Sequence, residues 1–187
     1  MKLVLIGGFC EMEELCRRAG AEVVHIVGPS EDDAYIVSGD KAIPVIVTPD
    51  GAARAKIASR YLEAGFKFAT VVARTADVSK RATIGEGTVI AEHAIVTAKT
   101  HIGRFVKLNT AAMVTHECRI GDFATIAPAA VILGRVTIGE GAYIGANSTV
   151  LPEVKIGKNA VVGAGAVVTK DVPDGETWVG VPARRLK

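Results

Sequence analysis

From Ile84 onward every sixth residue is Ile, Leu or Val: Ile84, Ile90, Val96, Ile102, Leu108, Val114, Ile120, Ile126, Ile132, Ile138, Ile144, Val150, Ile156, Val162 and Val168. Four places after each stands a small residue, from Thr88 and Ala94 through Cys118 and Ala124 to Ala166 and Val172. Gly often follows the aliphatic directly, as in Gly85, Gly103, Gly121, Gly139 and Gly157, and Val72 and Val78 hold the same phase upstream. A period of six is neither the helical period nor simple alternation. It reads as one short strand and one turn per unit, with a large and a small side chain pointing inward from each. The composition agrees: 49% of residues are hydrophobic but only 5% aromatic, so the interior must be narrow and filled by small branched side chains. Repetition at a fixed short period is the mark of a solenoid.

Residues 1–70 lack the hexad. "KLVLIGG" reads as a strand ending in Gly, "EMEELCRRAG" as a helix closed by Gly20, and "AEVVHIVG" as a second strand. "AIPVIVT" is a third strand, "PDGAARAKIASRYLEAG" a helix with Pro49 near its start and Gly65 at its end, and "FKFATVVA" a fourth strand leading into the repeats. This order predicts a small parallel α/β unit. Ligands in such sheets bind at the carboxyl ends of the strands, which places the loops after Leu5, Ile26 and Val47 around a cleft. The chain therefore divides into an α/β lobe, 1–70, and a repeat domain with its tail, 71–187, whose coil is expected over about 72–175.

A net charge of +2 gives no field that favours nucleic acid or an acidic membrane. Three cysteines, Cys10, Cys16 and Cys118, at irregular spacing suit reduced thiols in a cytoplasmic protein rather than a disulfide framework or a zinc site. The apolar start "MKLVLIGG" is far too short to span a bilayer.

The stretch "LNTAAMVTHECRIGDFATIAPAAVILGRVTIG" and the closing "WVGVPARR" resemble the hexapeptide-repeat acetyltransferases. Within them the likeness is to the sialic acid O-acetyltransferases and the nucleotide-sugar 4-amino N-acetyltransferases that build bacillosamine and perosamine. The resemblance implies a Rossmann-like α/β lobe followed by an all-β left-handed parallel β-helix. Three hexads make one coil, so residues eighteen apart stack about 4.8 Å from one another. It also implies a homotrimer with active sites between subunits, acetyl-CoA as co-substrate, no metal, and a nucleotide-linked sugar as acceptor.

The same resemblance assigns residues. His116 is the general base and Glu117 orients it. The chemistry suits the assignment: an amine attacking a thioester must lose a proton, and an imidazole titrates close to neutrality. A carboxylate partner fixes its tautomer. Gly134, eighteen residues after His116, should lie one coil above it, with an N–H open to a developing oxyanion. Ala146 and Ala164 would meet the pantetheine arm through backbone groups, and Arg184 or Arg185 its phosphates. Close relatives carry a second His nine residues after the first; here that position is Thr125, which can donate a hydrogen bond but cannot titrate near neutrality. For the acceptor, Gly7 and Gly8 allow close approach of a phosphate to the backbone. Asp32 and Asp33 follow the second strand, and Asn109 precedes His116 by seven. Cys118 holds a small inward position and is expected to be a packed thiol, not a nucleophile.

Two other readings stand beside N-acetyl transfer: O-acetylation of a sugar hydroxyl, and a trimeric β-helix scaffold without catalysis. A metal-dependent hydratase on the same fold would need converging histidines, two of them five apart. The four here, His25, His93, His101 and His116, contain no such pair. His93 and His101 are expected in solvated turns and His25 in a strand.

Overall fold

The structure, a computed structural model, describes residues 1–7 and 10–186. Gly8, one of the expected acceptor residues, lies outside them. The lobe opens with β1 (Lys2–Ile6), α1 (Cys10–Arg18) and β2 (Glu22–Val27), then α2 (Asp32–Ser38), β3 (Val45–Val47) and α3 (Gly51–Glu63). The three strands form a parallel sheet in the order β2-β1-β3. Acids in the first turn of α1 and arginines in the last complement its dipole. Its apolar stripe, Met12, Leu15 and Cys16, is buried.

Two elements differ from the sequence reading. The segment after β2 is a helix, α2, with Asp32 and Asp33 in its first turn; seven residues are too few to show an apolar period. The expected fourth strand is reduced to one bridge between Val45 and Phe68, after which the chain turns into the coil at Val71–Val72.

From there the chain winds as a left-handed β-helix of two-residue strands on three faces. The first face stacks Val71–Val72, Val89–Ile90, Lys107–Leu108, Thr125–Ile126, Tyr143–Ile144, Val161–Val162 and Thr177–Val179. The second runs from Asp77–Val78 through Met113–Val114 to Val167–Val168, and the third from Thr83–Ile84 through Arg119–Ile120 to Lys155–Ile156. Partners are eighteen apart through the coil, as in Met113↔Val131 and Arg119↔Thr137, and the spacing shortens only at the top, where Val161 pairs with Thr177. The large hexad residues from Ile90 to Val168 are at most 2% exposed and interleave with Ala94, Ala112, Cys118, Ala124 and Ala130. The top of the first face is closed by the antiparallel strand Arg184–Arg185 beside Thr177–Val179, so the stack runs past the expected end near 175.

The corner from the third face to the first is a column of glycines because coils approach closely there. A Cβ on Gly121 would stand 2.6 Å from the backbone nitrogen of Glu140 and 2.8 Å from the carbonyl carbon of Gly139. Neither atom can swing aside.

The lobe packs on the first face. Leu3, Leu5, Ile46 and the α1 stripe meet Val71, Val89 and Ala91. The other side of its sheet, with Tyr61 and Phe66, reaches Phe105 of the coil. Phe68 sits edge-on to Phe105, and Phe105 stacks on Phe123 with ring centroids 5.0 Å apart.

Gly121→Ala is expected to cost about 1–3 kcal/mol, because a coil must shift to admit the methyl. A urea midpoint unchanged from wild type would contradict this.

Candidate active site

The corner between the second and third faces carries Thr115, His116, Glu117 and Cys118, with Leu133, Gly134, Arg135 and Val136 one coil above. The Arg135 N–H donates to the His116 carbonyl at 3.0 Å, which locks the two corners in register. Glu117 takes the left-handed conformation, φ +60°, shared by the third residue of the turns from Gly87 to Gly165. That turn projects both His116 and Glu117 outward. His116 Nδ1 lies 3.5 Å from Glu117 Oε2, and the imidazole side chain is 54% exposed. The ring rests over the Cα of Gly134: a Cβ there would stand 2.6 Å from both Cε1 and Nε2. Only Gly leaves room for the ring. The Gly134 carbonyl accepts from Glu153 N–H at 3.0 Å, while its own N–H donates to no described residue. The corner thus brings an exposed imidazole and the Gly134 backbone together.

On its other side Glu117 meets Lys99, Nζ to Oε1 3.4 Å. Lys99 first, and His116 second, hold the Glu117 carboxyl below the usual range, so it stays charged as pH falls. Cys118 is fully buried, its Sγ 3.1 Å from the Leu133 carbonyl, and burial pushes its thiol up. It is not placed to act as a nucleophile.

The remaining expected residues do not all gather here. Ala146 and Ala164 stack on the corner between the first and second faces, across the second face from His116. Their N–H groups bond to no described residue, and the Ala146 carbonyl accepts from Gly165 N–H at 2.8 Å. Asn109 begins the same corner lower down, its Nδ2 donating to the Ile126 carbonyl at 3.0 Å. It lines a cavity of about 230 Å³ between α1 and the coil, with Glu11, Asp50, Glu92 and Lys107. Arg184 is exposed at the top of the coil, with Arg185 paired to Glu176 at 3.2 Å.

The crevice at the carboxyl ends of β1, β2 and β3 encloses about 440 Å³. Gly7 (φ +91°), Gly28, Asp32, Pro49, Lys56 and Arg60 line it. Asp32 accepts from Tyr61 Oη at 2.8 Å and pairs with Arg60. Asp33 also pairs with Arg60 but faces solvent outside the crevice.

Thr125 is 3% exposed and lies beneath the lobe, on the first face rather than beside His116. Its hydroxyl accepts from Arg54 Nη2 at 2.8 Å, and the same nitrogen donates to the carbonyls of Phe123 (2.6 Å) and Ala124 (3.2 Å). Arg54 is 2% exposed; burial brings its guanidinium down to about 10, while Asp50, 3.5 Å away, opposes the shift. Lys107 reaches the same Asp50 oxygen at 3.1 Å. Sequence reasoning missed Arg54. A signal was present: it shares a helical stripe with the buried Ala58 and Tyr61, an odd place for a charge without a partner.

Histidines other than His116 stand apart. His93 is an exposed turn residue, His25 stacks on Tyr35 at the lobe's edge strand, and His101 begins a third-face strand with Nδ1 2.6 Å from Thr83 Oγ1. His101 is thus in a strand, not a turn, since it holds the first strand position of its hexad. Among the described residues no three His, Cys, Asp or Glu converge as a metal site, and no helix is long and apolar enough to cross a membrane.

A left-handed coil of hexads with an α/β lobe docked on one face is the architecture of an acyltransferase class, and comparisons with known proteins agree. The chain is 30% identical to the acetyltransferase domain of PglB from Neisseria gonorrhoeae FA1090, solved in complex with acetyl coenzyme A; 99% of this chain and 98% of that chain are covered, with a TM-score of 0.93. PerB from Caulobacter crescentus, solved with CoA and GDP-perosamine, is 28% identical over 100% of this chain and 98% of that one, TM-score 0.89. WeeI from Acinetobacter baumannii AYE is 28% identical with 100% of both chains covered, TM-score 0.87. Residues 135–170 match the bacterial transferase hexapeptide (six repeats) model. A search of curated proteins gave no match. The chain belongs to the hexapeptide-repeat acetyltransferases, in the group that holds the PglB acetyltransferase domain and the perosamine N-acetyltransferase.

Arg54→Met is expected to cost about 2–4 kcal/mol, because it strips the Phe123 carbonyl of its donor and leaves Asp50 with Lys107 alone. Hydrogen exchange should rise in α3 and around Phe123–Thr125 together. Unchanged exchange there would contradict the anchoring role.

Proposed function

We propose that the protein transfers the acetyl group of acetyl-CoA to the 4-amino group of a nucleotide-linked amino sugar, with His116 as general base. One observation carries the reading: the His116 ring lies over Gly134, with Nδ1 3.5 Å from Glu117 Oε2 and Nε2 against the space that a Gly134 Cβ would fill. The amine nitrogen forms a bond to the thioester carbonyl carbon and passes its proton to His116 Nε2. The oxygen of the tetrahedral species takes the Gly134 N–H bond. The C–S bond then breaks, and the imidazolium returns its proton to the departing sulfur. No acyl-enzyme is needed. Glu117 holds the Nδ1–H tautomer that leaves Nε2 free.

In this reading the protein is a homotrimer. The His116 corner of one subunit faces the Ala146 and Ala164 corner of the next, and the two together hold the pantetheine arm, with Arg184 toward the phosphates. The nucleotide takes the crevice beside Gly7 and Asp32. The sugar reaches past Pro49 and Asp50 toward Asn109 and Lys107, since neighbouring residues 49 and 50 line the two cavities.

The test is thiol release from acetyl-CoA with UDP-, GDP- and dTDP-linked 4-amino sugars, beside amino-free analogues. Release with an amino sugar alone is the expected result. Release with hydroxyl-only sugars would replace it with O-acetylation, and acetyl-CoA binding without release would overturn the acceptor class. Gly134→Ala should lower kcat about 10–100-fold with little change in melting temperature, because the methyl displaces the ring and not the coil. Full activity in that variant would contradict the role of the glycine.

A further inference from the structure

Lys99, Glu117, Arg135 and Glu153 are eighteen apart, so they occupy one corner position on four successive coils. Each is in the left-handed conformation, with φ between +59° and +66°. Backbone bonds fix the column: Glu117 N–H to the Ala98 carbonyl at 3.1 Å, and Glu153 N–H to the Gly134 carbonyl at 3.0 Å. Identical backbone conformation and fixed register make the side chains leave the corner in parallel. The result is a ladder of unlike charges, read upward as plus, minus, plus, minus.

The ladder pairs in a particular way. Arg135 is committed upward to Glu153, Nε to Oε1 2.9 Å. His101 is taken by Thr83. Arg119 stands in the same groove of about 510 Å³ but in no ion pair among the described residues. Glu117 is therefore left to Lys99 below it and His116 beside it, and divides its oxygens between them: Oε1 to Lys99 Nζ at 3.4 Å, Oε2 to His116 Nδ1 at 3.5 Å. Glu117 is 40% exposed and has three rotatable bonds. A long, exposed His contact alone holds such a side chain weakly. A second tether on the other oxygen turns Oε2 toward the imidazole.

We propose that Lys99 is a positioning residue for the reaction, acting through Glu117 to hold His116 in the tautomer with Nε2 free. The proposal rests on the general-base reading of His116 and adds to it the residue that sets the base. Lys99 touches neither acceptor nor donor in this role.

The test combines kinetics with the ¹⁵N resonances of His116, compared across Lys99→Met, Lys99→Arg, Glu117→Gln and the Lys99→Met/Glu117→Gln double variant, all as assembled protein. Methionine keeps the apolar stem and removes the charge. In wild type the Nδ1–H tautomer should dominate. Lys99→Met should shift the ratio toward the Nε2–H form and lower kcat about 3-fold, with KM for both substrates unchanged. Lys99→Arg should restore both. In the Glu117→Gln background the Lys99→Met change should cost nothing further. The proposal is overturned if the tautomer ratio in Lys99→Met matches wild type, or if the kinetic loss persists undiminished without the Glu117 carboxylate. The ring measurement needs no substrate, so it decides the role of Lys99 even if turnover proves independent of His116.

Discussion

Everything at the active corner depends on the eighteen-residue register. Each coil hands its backbone N–H groups to the coil above or below, and each hexad puts one branched aliphatic and one small residue into the same narrow interior. A slip of one residue would bring polar residues such as Arg119 or Thr137 inward and expose Ile120 or Ile138. The register therefore cannot drift. Its consequence is that residues far apart in sequence are held about 4.8 Å apart in space without any side chain having to bring them there. His116 meets Gly134 for this reason, and Lys99 meets Glu117 for the same one.

That rigidity explains how an exposed site is made without a deep pocket. The corner turn needs a left-handed residue at its third position, and Glu117 supplies it at the strain of a non-glycine there. The same turn points the imidazole away from the core. Ala146 and Ala164 occupy a different edge of the prism from His116, which is why the proposed reading needs a second subunit to complete the site. The lobe is anchored on the coil by Arg54 on Phe123–Thr125 and by the aromatic stack at Phe68, Phe105 and Phe123.

The coil was legible because its signal is long and periodic: a hexad from Ile84 to Val168 fixes both the buried face and the stacking partners. The closeness of His116 and Gly134 followed from arithmetic on that period. What was not legible came from non-local contacts. Nothing in "GAARAKIASR" states that Arg54 reaches a carbonyl on residue 123, and nothing at Thr125 states that the lobe covers it. The helix over 32–38 was too short to show a period, and the fourth lobe strand was lost to the turn that starts the coil. Asp32 and Asp33 looked alike in sequence. Tyr61 and Arg60, brought round by α3, draw Asp32 into the crevice wall and leave Asp33 outside.

In the proposed mechanism the imidazole over Gly134 takes the proton from the acceptor. The most direct measurement is the single-turnover rate of acetyl transfer in His116→Ala at saturating acetyl-CoA, with assembly and melting temperature checked alongside. A proton transfer to His116 predicts a rate about 10²–10⁴-fold below wild type in a protein otherwise unchanged. A wild-type rate in the same assembled protein would contradict it.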